Sequence, residues 1–262
     1  MTDKEIDKEW LAEMRENFER HPYKSLNSAL TLYDTVQGEE IETENRLRTM
    51  LQIQGDFVSP EERDRVQKII DQQEEFINFV KKNLKTELAK IPIYNEILSR
   101  IPYLGDLACA RLINYVRIDR AGSISALRKY CGYSAGEDGK IIHEESGKTR
   151  DFNKSLKPVF YLWARRCIMS KSEPFNSMYR TWKEYYHNRE PELAPFIVDR
   201  RAIIKVVGIF IGSLWLAWRE LEGLPTKSPY AQAKLGHPES HIITIERWLA
   251  PKVEVKVRKK RS

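Results

Sequence analysis

The sequence predicts a mainly α-helical protein, in which N-terminal helices and a long coiled-coil-like arm precede a second helical domain. Three observations predict this class. Apolar residues recur in steps of three and four along most of the 262 residues, a strong helix-start signal stands at Ser59, and strands do not alternate with helices. A Gly-rich phosphate loop is also missing from the sequence, which argues against nucleotide-binding folds.

The N-terminal region, residues 1–58, is predicted to form helices with little loop between them. Each helix has an apolar seam, formed by Trp10, Met14 and Phe18 in the first and by Leu47, Met50 and Leu51 in the second. The same region carries scattered acids such as Asp3, Asp7 and Asp34, which we assign to helix surfaces.

Residues 59–91 are predicted to form one helix of about thirty residues. Ser59 is placed to cap it, Pro60 suits the first helical position, and Glu62 completes a capping box. Apolar residues then recur in steps of three and four as far as Ile91. Two interpretations stay open, a helix packed within its own domain and an arm that dimerises.

Residues 92–224 open with a helix-hairpin-helix candidate. A short helix over 93–100 leads into the turn Ile101-Pro102-Tyr103-Leu104-Gly105, and a second helix over 106–116 follows. Such a turn presents backbone N–H groups to a phosphate at the start of the second helix, with small residues allowing the close approach. Tyr103 stands where the first glycine of the turn is usual, so we expect it either to contact a sugar or to pack.

The remaining elements of this domain are helices over 123–131, 155–169, 173–187 and 194–222, with a loop or β-hairpin insertion in the glycine-containing stretch 132–147. The apolar run 206–218 is shorter than the roughly 20 residues of a bilayer span, so we interpret it as a buried helix. Residues 225–262 form a C-terminal extension whose tail is predicted as either an edge strand or a mobile basic arm.

Charge is divided unevenly. Residues 1–90 hold 14 Lys and Arg against 20 Asp and Glu, a balance of −6, whereas residues 91–262 hold 30 against 18, a balance of +12. The basic part is therefore the candidate for contacts with phosphates. It ends on Arg258, Lys259, Lys260 and Arg261. A charged surface of the thermophile kind is the alternative interpretation.

The three cysteines lie far apart and outside any CxxC pattern, so we expect packed, reduced thiols and neither a disulfide framework nor a cysteine-based zinc site. We predict no metal site and no cofactor. The polar, acidic first ten residues do not resemble a signal peptide, and the expected location is cytoplasmic, with no membrane partner.

The order of the motifs resembles the C-terminal domain of Piv/MooV-type insertion-sequence transposases, the IS-one-ten or DEDD group. The resemblance covers about residues 60–222 and rests on four segments, RIPYLGDLACARLINYVRID, SALRKYCGYS, ESGKTRDFNKSLKPVFYLWARR and RRAIIKVVGIFIGSLWLAWRE. In that family a long helical arm leads into an IPGIG-type turn, a Tyr-x-Gly segment and a loop with basic residues.

The resemblance implies DNA chemistry as well as binding. The family's proposed nucleophile corresponds to Ser146, with Lys148 and Arg150 near the scissile phosphate. A polar turn is the alternative interpretation of Ser146. Residues 1–58 depart from the family, because its RuvC-like domain needs strands bearing acidic metal ligands. We therefore do not expect this chain to complete recombination alone.

The leading hypothesis is a DNA-binding protein, a homodimer through the 59–91 helix, that contacts duplex or branched DNA by its phosphates. The expected contacts are Tyr103, Gly105, Arg111, Lys148, Arg150 and the basic tail. A second hypothesis is the catalytic part of a recombinase or DNA strand-transferase that uses Ser146 with a RuvC-like partner chain. A third is a helical scaffold for a protein partner. RNA is an alternative polymer, because some family members use a guide RNA.

Overall fold

A computed structural model describes residues 19, 21–54, 59–134, 152–236, 238 and 242–250. Within these ranges the regular secondary structure is helical and contains no β-strand, which confirms the mainly α class. The chain divides into two compact units, Met1–Ile91 and Pro92–Ser262.

The described residues of the first unit form two long helices, α1 (Lys24–Gln54) and α2 (Pro60–Leu88). The start of α2 is as the sequence predicts: Ser59 Oγ accepts from the Glu62 amide at 3.2 Å, and the Ser59 amide donates to Glu62 Oε2 at 3.1 Å. The beginning of α1 and the end of α2 line one common pocket, so the two helices run antiparallel as a hairpin. The long helix thus has a partner within its own unit.

Packing in this hairpin is concentrated at one end. The buried apolar residues come from the first half of α1 and the second half of α2, and are Leu26, Leu30, Tyr33, Val36, Ile77, Val80, Leu84 and Leu88. Farther along, Gln73 Nε2 donates to Thr43 Oγ1 at 3.2 Å across the seam. Large apolar side chains are exposed in both parts of the hairpin, Ile41, Ile53 and Ile69 in the sparsely packed part and Phe76 and Phe79 in the packed half of α2.

The second unit is built around one apolar helix. Its helices are α3 (Pro92–Glu96), α4 (Asp106–Tyr115), α5 (Ile124–Tyr130), α6 (Leu156–Met169), α7 (Phe175–Arg189), α8 (Pro195–Leu221) and α9 (Tyr230–Leu235), with 3-10 turns at Leu98–Arg100 and Ile245–Trp248. The sequence predicts one helix over 93–100. The structure divides it at Ile97, whose φ of −126° and ψ of −65° are not helical.

Helix α8 is the core of the unit because it is apolar nearly all round. Phe210 lies in its middle, with the Trp163 ring centroid at 4.2 Å and the Trp248 centroid at 5.2 Å. Phe175 joins them at 5.2 Å from Trp163. α8 is long and apolar enough to cross a membrane by composition, but 67% of its most apolar window is buried inside the protein, as in the core helix of a globular domain.

One buried and one half-buried arginine connect neighbouring segments to α8. Arg219 donates to the carbonyls of Ile118 at 2.7 Å and Pro225 at 2.9 Å. Arg128 of α5 donates to the Gly208 carbonyl at 2.7 Å and lies along Gly208 and Gly212, where a side chain would meet it. These bonds satisfy charged groups that would otherwise be costly to bury.

Candidate nucleic-acid interface

The predicted hairpin at residues 101–105 is a tight turn. The Leu104 amide donates to the Ile101 carbonyl at 3.2 Å, Pro102 holds the second position, and Tyr103 in the third position has φ of +62°. Proline followed by a residue of positive φ is the pattern of a type II turn, which favours glycine in its third position. Tyr103 therefore adopts the backbone conformation that glycine adopts more readily.

The positive φ of Tyr103 is energetically unfavourable, and the side chain is not buried deeply enough to compensate. A non-glycine residue in the left-handed region costs about 1 kcal/mol. The Tyr103 side chain is 48% exposed, so it does not offset the cost by burial in a core. About half of Tyr103 is open to solvent, so part of its aromatic ring is available for contact with a ligand.

Core residues hydrogen-bond the backbone of the turn. Trp163 of α6 donates its indole N–H to the Pro102 carbonyl at 2.9 Å, and Cys109 of α4 donates its thiol to the Leu104 carbonyl at 3.6 Å. Ile101 and Leu104 are buried on either side of Tyr103. The backbone that carries Tyr103 is therefore held in place by buried neighbours.

Gly105 is the N-cap of α4, but the turn does not need a glycine there. Its φ of −69° and ψ of 163° are open to any residue, and an added Cβ would meet nothing within 4 Å. Here sequence reasoning misplaced the conformational demand, which belongs to Tyr103. What Gly105 provides is a helix start without a capping side chain, where an external acceptor can approach the first-turn amides.

An acidic residue already stands at this helix start. Asp106, the first residue of α4, accepts from the Tyr94 hydroxyl at 2.7 Å. Burial and this bond raise the pKa of Tyr94, and burial together with the Asp106 charge raises the pKa of Cys109 to about 12. The negative charge of Asp106 interacts favourably with the dipole of α4, but it repels a phosphate bound at the same helix start.

Arg111, the predicted basic contact of this element, lies half-buried in the second turn of α4. The other predicted contacts, Lys148, Arg150, Arg258, Lys259, Lys260 and Arg261, and the predicted nucleophile Ser146 lie outside the described residues.

The segments that flank residues 135–151 are fixed on each other. The Asn153 amide donates to the Tyr130 carbonyl at 2.8 Å, and Asn153 Nδ2 donates to the Tyr130 hydroxyl at 3.1 Å. That hydroxyl donates in turn to the Tyr115 carbonyl at 3.0 Å, at the end of α4. Asn153 Oδ1 also accepts from the amides of Ser155 and Leu156 and so caps α6. Both roots of the predicted catalytic loop are thus anchored beside the second hairpin helix.

Sequence reasoning missed a basic and aromatic pocket beside these roots. It has a volume of about 390 Å³ and is lined by Gly132, Tyr133, Lys157, Pro158, Tyr161, Arg200, Ile203 and Ile204. The only signal in the sequence is the four-residue spacing of Lys157 and Tyr161 on α6, which puts them on one face. Arg200 reaches the pocket from α8, which no local pattern indicates.

A second aromatic group covers α7. Trp182, Tyr185 and Tyr186 contact one another with centroids 5.3 to 6.0 Å apart. Lys205 of α8 lies over the Trp182 ring at 4.6 Å, and burial and the nearby Arg128 charge lower its pKa. Arg189 likewise lies over the Tyr185 ring at 5.9 Å, and the group contributes to the packing of α7 against α8.

Metal chemistry has no support in the described part of the chain. Among these residues no group of three or more His, Cys, Asp or Glu side chains is placed to hold a metal ion. Cys109, Cys131 and Cys167 are buried free thiols, as the sequence predicts, and burial raises the pKa of each.

Known proteins give no direct guide to this site. No family model matches the chain, and no curated protein matches it in sequence.

Proposed function

We propose that this chain is a cytoplasmic DNA-binding protein that contacts backbone phosphates through the hairpin at residues 101–105 and the basic surface of its second unit. The likeness to the C-terminal domain of insertion-sequence transposases, set out above, motivates the choice of DNA. The contacts are expected from Tyr103, Gly105 and Arg111 and from the basic residues beyond the described ranges.

One observation carries the proposal: an exposed tyrosine is kept in a strained backbone conformation directly before an uncapped helix start. Strain of this kind persists where the surroundings impose it, and it is concentrated at ligand clamps and active sites. An exposed ring beside open amides offers a sugar or base contact next to a phosphate contact.

The charge distribution supports the same proposal. The balance of +12 over residues 91–262 is opposite in sign to DNA, while the −6 of residues 1–90 would repel it. Because the expected contacts are to phosphates, binding should depend little on base sequence.

The test is the salt dependence of affinity, measured by fluorescence anisotropy with labelled duplex and four-way-junction DNA. With about six phosphate contacts, affinity should fall about a thousandfold between about 50 and 200 mM salt. An affinity that stays flat over this range contradicts the proposal.

Asp106 supplies a variant that should improve binding. Asp106→Asn keeps an oxygen acceptor for Tyr94 but removes the negative charge at the start of α4, so DNA affinity should rise several-fold at low salt. Asp64→Asn on exposed α2 makes the same change in net charge in the acidic unit and is the matched control. Equal effects of the two variants would mean that α4 is not at the interface.

Dimerisation through the first unit is the part of the proposal that concerns a protein partner. The α1–α2 hairpin has exposed apolar side chains that a second copy could cover, among them Phe76 and Phe79, whose rings are stacked with centroids 6.4 Å apart. A protein-binding scaffold uses the same surface, and absence of DNA binding in a stable oligomer would favour it.

Strand transfer by Ser146 stays a prediction, as do a RuvC-like partner chain and RNA as a second polymer. A covalent protein–DNA adduct that disappears in Ser146→Ala would support the catalytic hypothesis.

A further inference from the structure

The pocket between α6 and α8 brings together two cations and an aromatic ring. Lys157 and Tyr161 line it from α6, and Arg200 lines it from α8. None of its described lining residues is acidic. Pro158, Ile203 and Ile204 supply apolar surface beside the charges.

The two cations are close enough to influence each other. Burial and the charge of Arg200 both lower the pKa of Lys157. Two positive charges that line one cavity attract an anion more strongly than either does alone. The electrostatics of the pocket therefore favour an anionic ligand.

The position of Lys157 is set by its surroundings. Its ammonium lies 4.7 Å from the centre of the Phe152 ring, and Tyr133 donates its hydroxyl to the Lys157 carbonyl at 2.9 Å. Gly132 has φ of +76°, and an added Cβ would lie 3.0 Å from Lys157 Cδ and 3.2 Å from Phe152. The wall is thus built from side chains in close contact, with a glycine where no side chain fits.

The ligand also meets a flat apolar surface. Tyr161 is 43% exposed, so its ring is open to a stacking partner. Tyr133 adds a second aromatic ring to the lining of the pocket. Exposed aromatic rings beside cations are the pattern by which proteins hold unpaired bases.

We propose that this pocket binds one unpaired nucleotide of a DNA strand, with its phosphate between Lys157 and Arg200 and its base stacked on Tyr161. A volume of about 390 Å³ lies within the range of small-ligand sites and fits one nucleotide. The inference rests on the proposed function and adds to it a preference for strands with unpaired bases, as at a nick, flap or junction.

The experiment uses the full chain and a short oligothymidylate that contains a single 2-aminopurine, whose fluorescence falls when the base stacks. The unlabelled duplex of equal length is titrated in parallel by competition. We expect the chain to quench 2-aminopurine and to prefer the single strand or a flap over the blunt duplex.

Variants divide the site into its parts. Tyr161→Leu should abolish most of the quenching, and Arg200→Gln should weaken single-strand affinity about tenfold. Arg166→Gln, on an exposed position of α6 outside the pocket, removes the same charge and is the matched control, with little effect. Circular dichroism shows that each variant is folded before its affinity is compared.

Two results would overturn the inference. Single-strand binding whose quenching is the same in Tyr161→Leu and Arg200→Gln excludes the pocket, while salt-dependent duplex binding leaves the proposed function in place. If neither duplex nor single strand binds, the proposed function and this inference both fail.

Discussion

The two units of the molecule use their apolar residues differently. In the α1–α2 hairpin, buried side chains are confined to one end, and the seam residues farther along, such as Leu47, Met50 and Ile70, are only half-buried. In the second unit, several helices pack against α8, and its large aromatic residues Phe210, Trp215 and Trp218 are fully buried. Two helices bury only the sides on which they contact each other, so no described residue in the second half of α1 or the first half of α2 is fully buried.

The difference indicates a division of labour. A densely packed unit is rigid enough to hold an exposed, strained residue such as Tyr103 in place. A hairpin with an uncovered apolar face is suited to association.

Core truncation should show the largest contrast. Phe210→Ala removes a ring at the centre of the aromatic cluster and should lower the free energy of unfolding by about 3–5 kcal/mol. Ile70→Ala, at a half-buried hairpin position, should cost well under half of that. Chemical denaturation followed by circular dichroism measures both, and similar losses would contradict the comparison.

Alkaline pH should destabilise the second unit more than the first, since all three cysteines lie there. Burial raises the pKa of Cys109 from its ordinary value of 9.0 to about 12. A raised folded pKa means that stability is present below pH 9 and is lost as pH rises toward the folded value. Each such thiol should remove about 1.4 kcal/mol per pH unit above pH 9.

The control for this prediction is Cys109→Ala, in which one such contribution is absent and the decline is shallower. The free energy of unfolding is measured from about pH 8 to about pH 10.5, on both sides of the ordinary thiol pKa. A decline that is unchanged in the variant would show that Cys109 is not responsible.

The uncovered hairpin face should control self-association. Phe79→Glu places a charge on the exposed apolar surface and should weaken a homodimer by at least tenfold. Lys81→Glu, an exposed position on the same helix, tests the effect of charge alone. Sedimentation velocity over a range of concentrations measures the dissociation constant of the dimer. A wild-type chain that stays monomeric rules out the dimer.

Loss of the α2 cap should give the smallest change. Ser59→Ala removes the acceptor for the Glu62 amide and should cost about 1 kcal/mol in the hairpin. Because few side chains are buried in the hairpin, a loss of this size is still a sizeable part of its stability. It is measured as a shift in the thermal unfolding midpoint, with Ser99→Ala as an exposed serine outside the hairpin for comparison.

Local patterns predicted most of the helices. The capping box at Ser59 and Glu62 forms as expected because both partners lie within one turn of the same helix. The predicted helices over 106–116, 155–169 and 194–222 agree with α4, α6 and α8 within one residue at each end. Each has an apolar periodicity that its own packing satisfies.

The features that the sequence could not predict depend on tertiary structure. Nothing near Tyr103 reveals that Trp163 and Cys109 hold its turn in place, since Trp163 is 60 residues away. The pocket of Lys157 and Arg200 joins two helices separated by all of α7. The placement of Tyr103 and of this pocket therefore came only from the fold.

A paired measurement on Tyr103→Gly tests whether the exposed ring of the hairpin contacts DNA. Glycine adopts the left-handed conformation without strain, so the free energy of unfolding should rise by about 1 kcal/mol. Duplex DNA affinity should fall at least fivefold at the same time, because the exposed ring is lost, and Tyr103→Phe should retain most of it. A stabilised Tyr103→Gly chain that binds DNA as well as the wild type would show that the Tyr103 ring does not contact DNA.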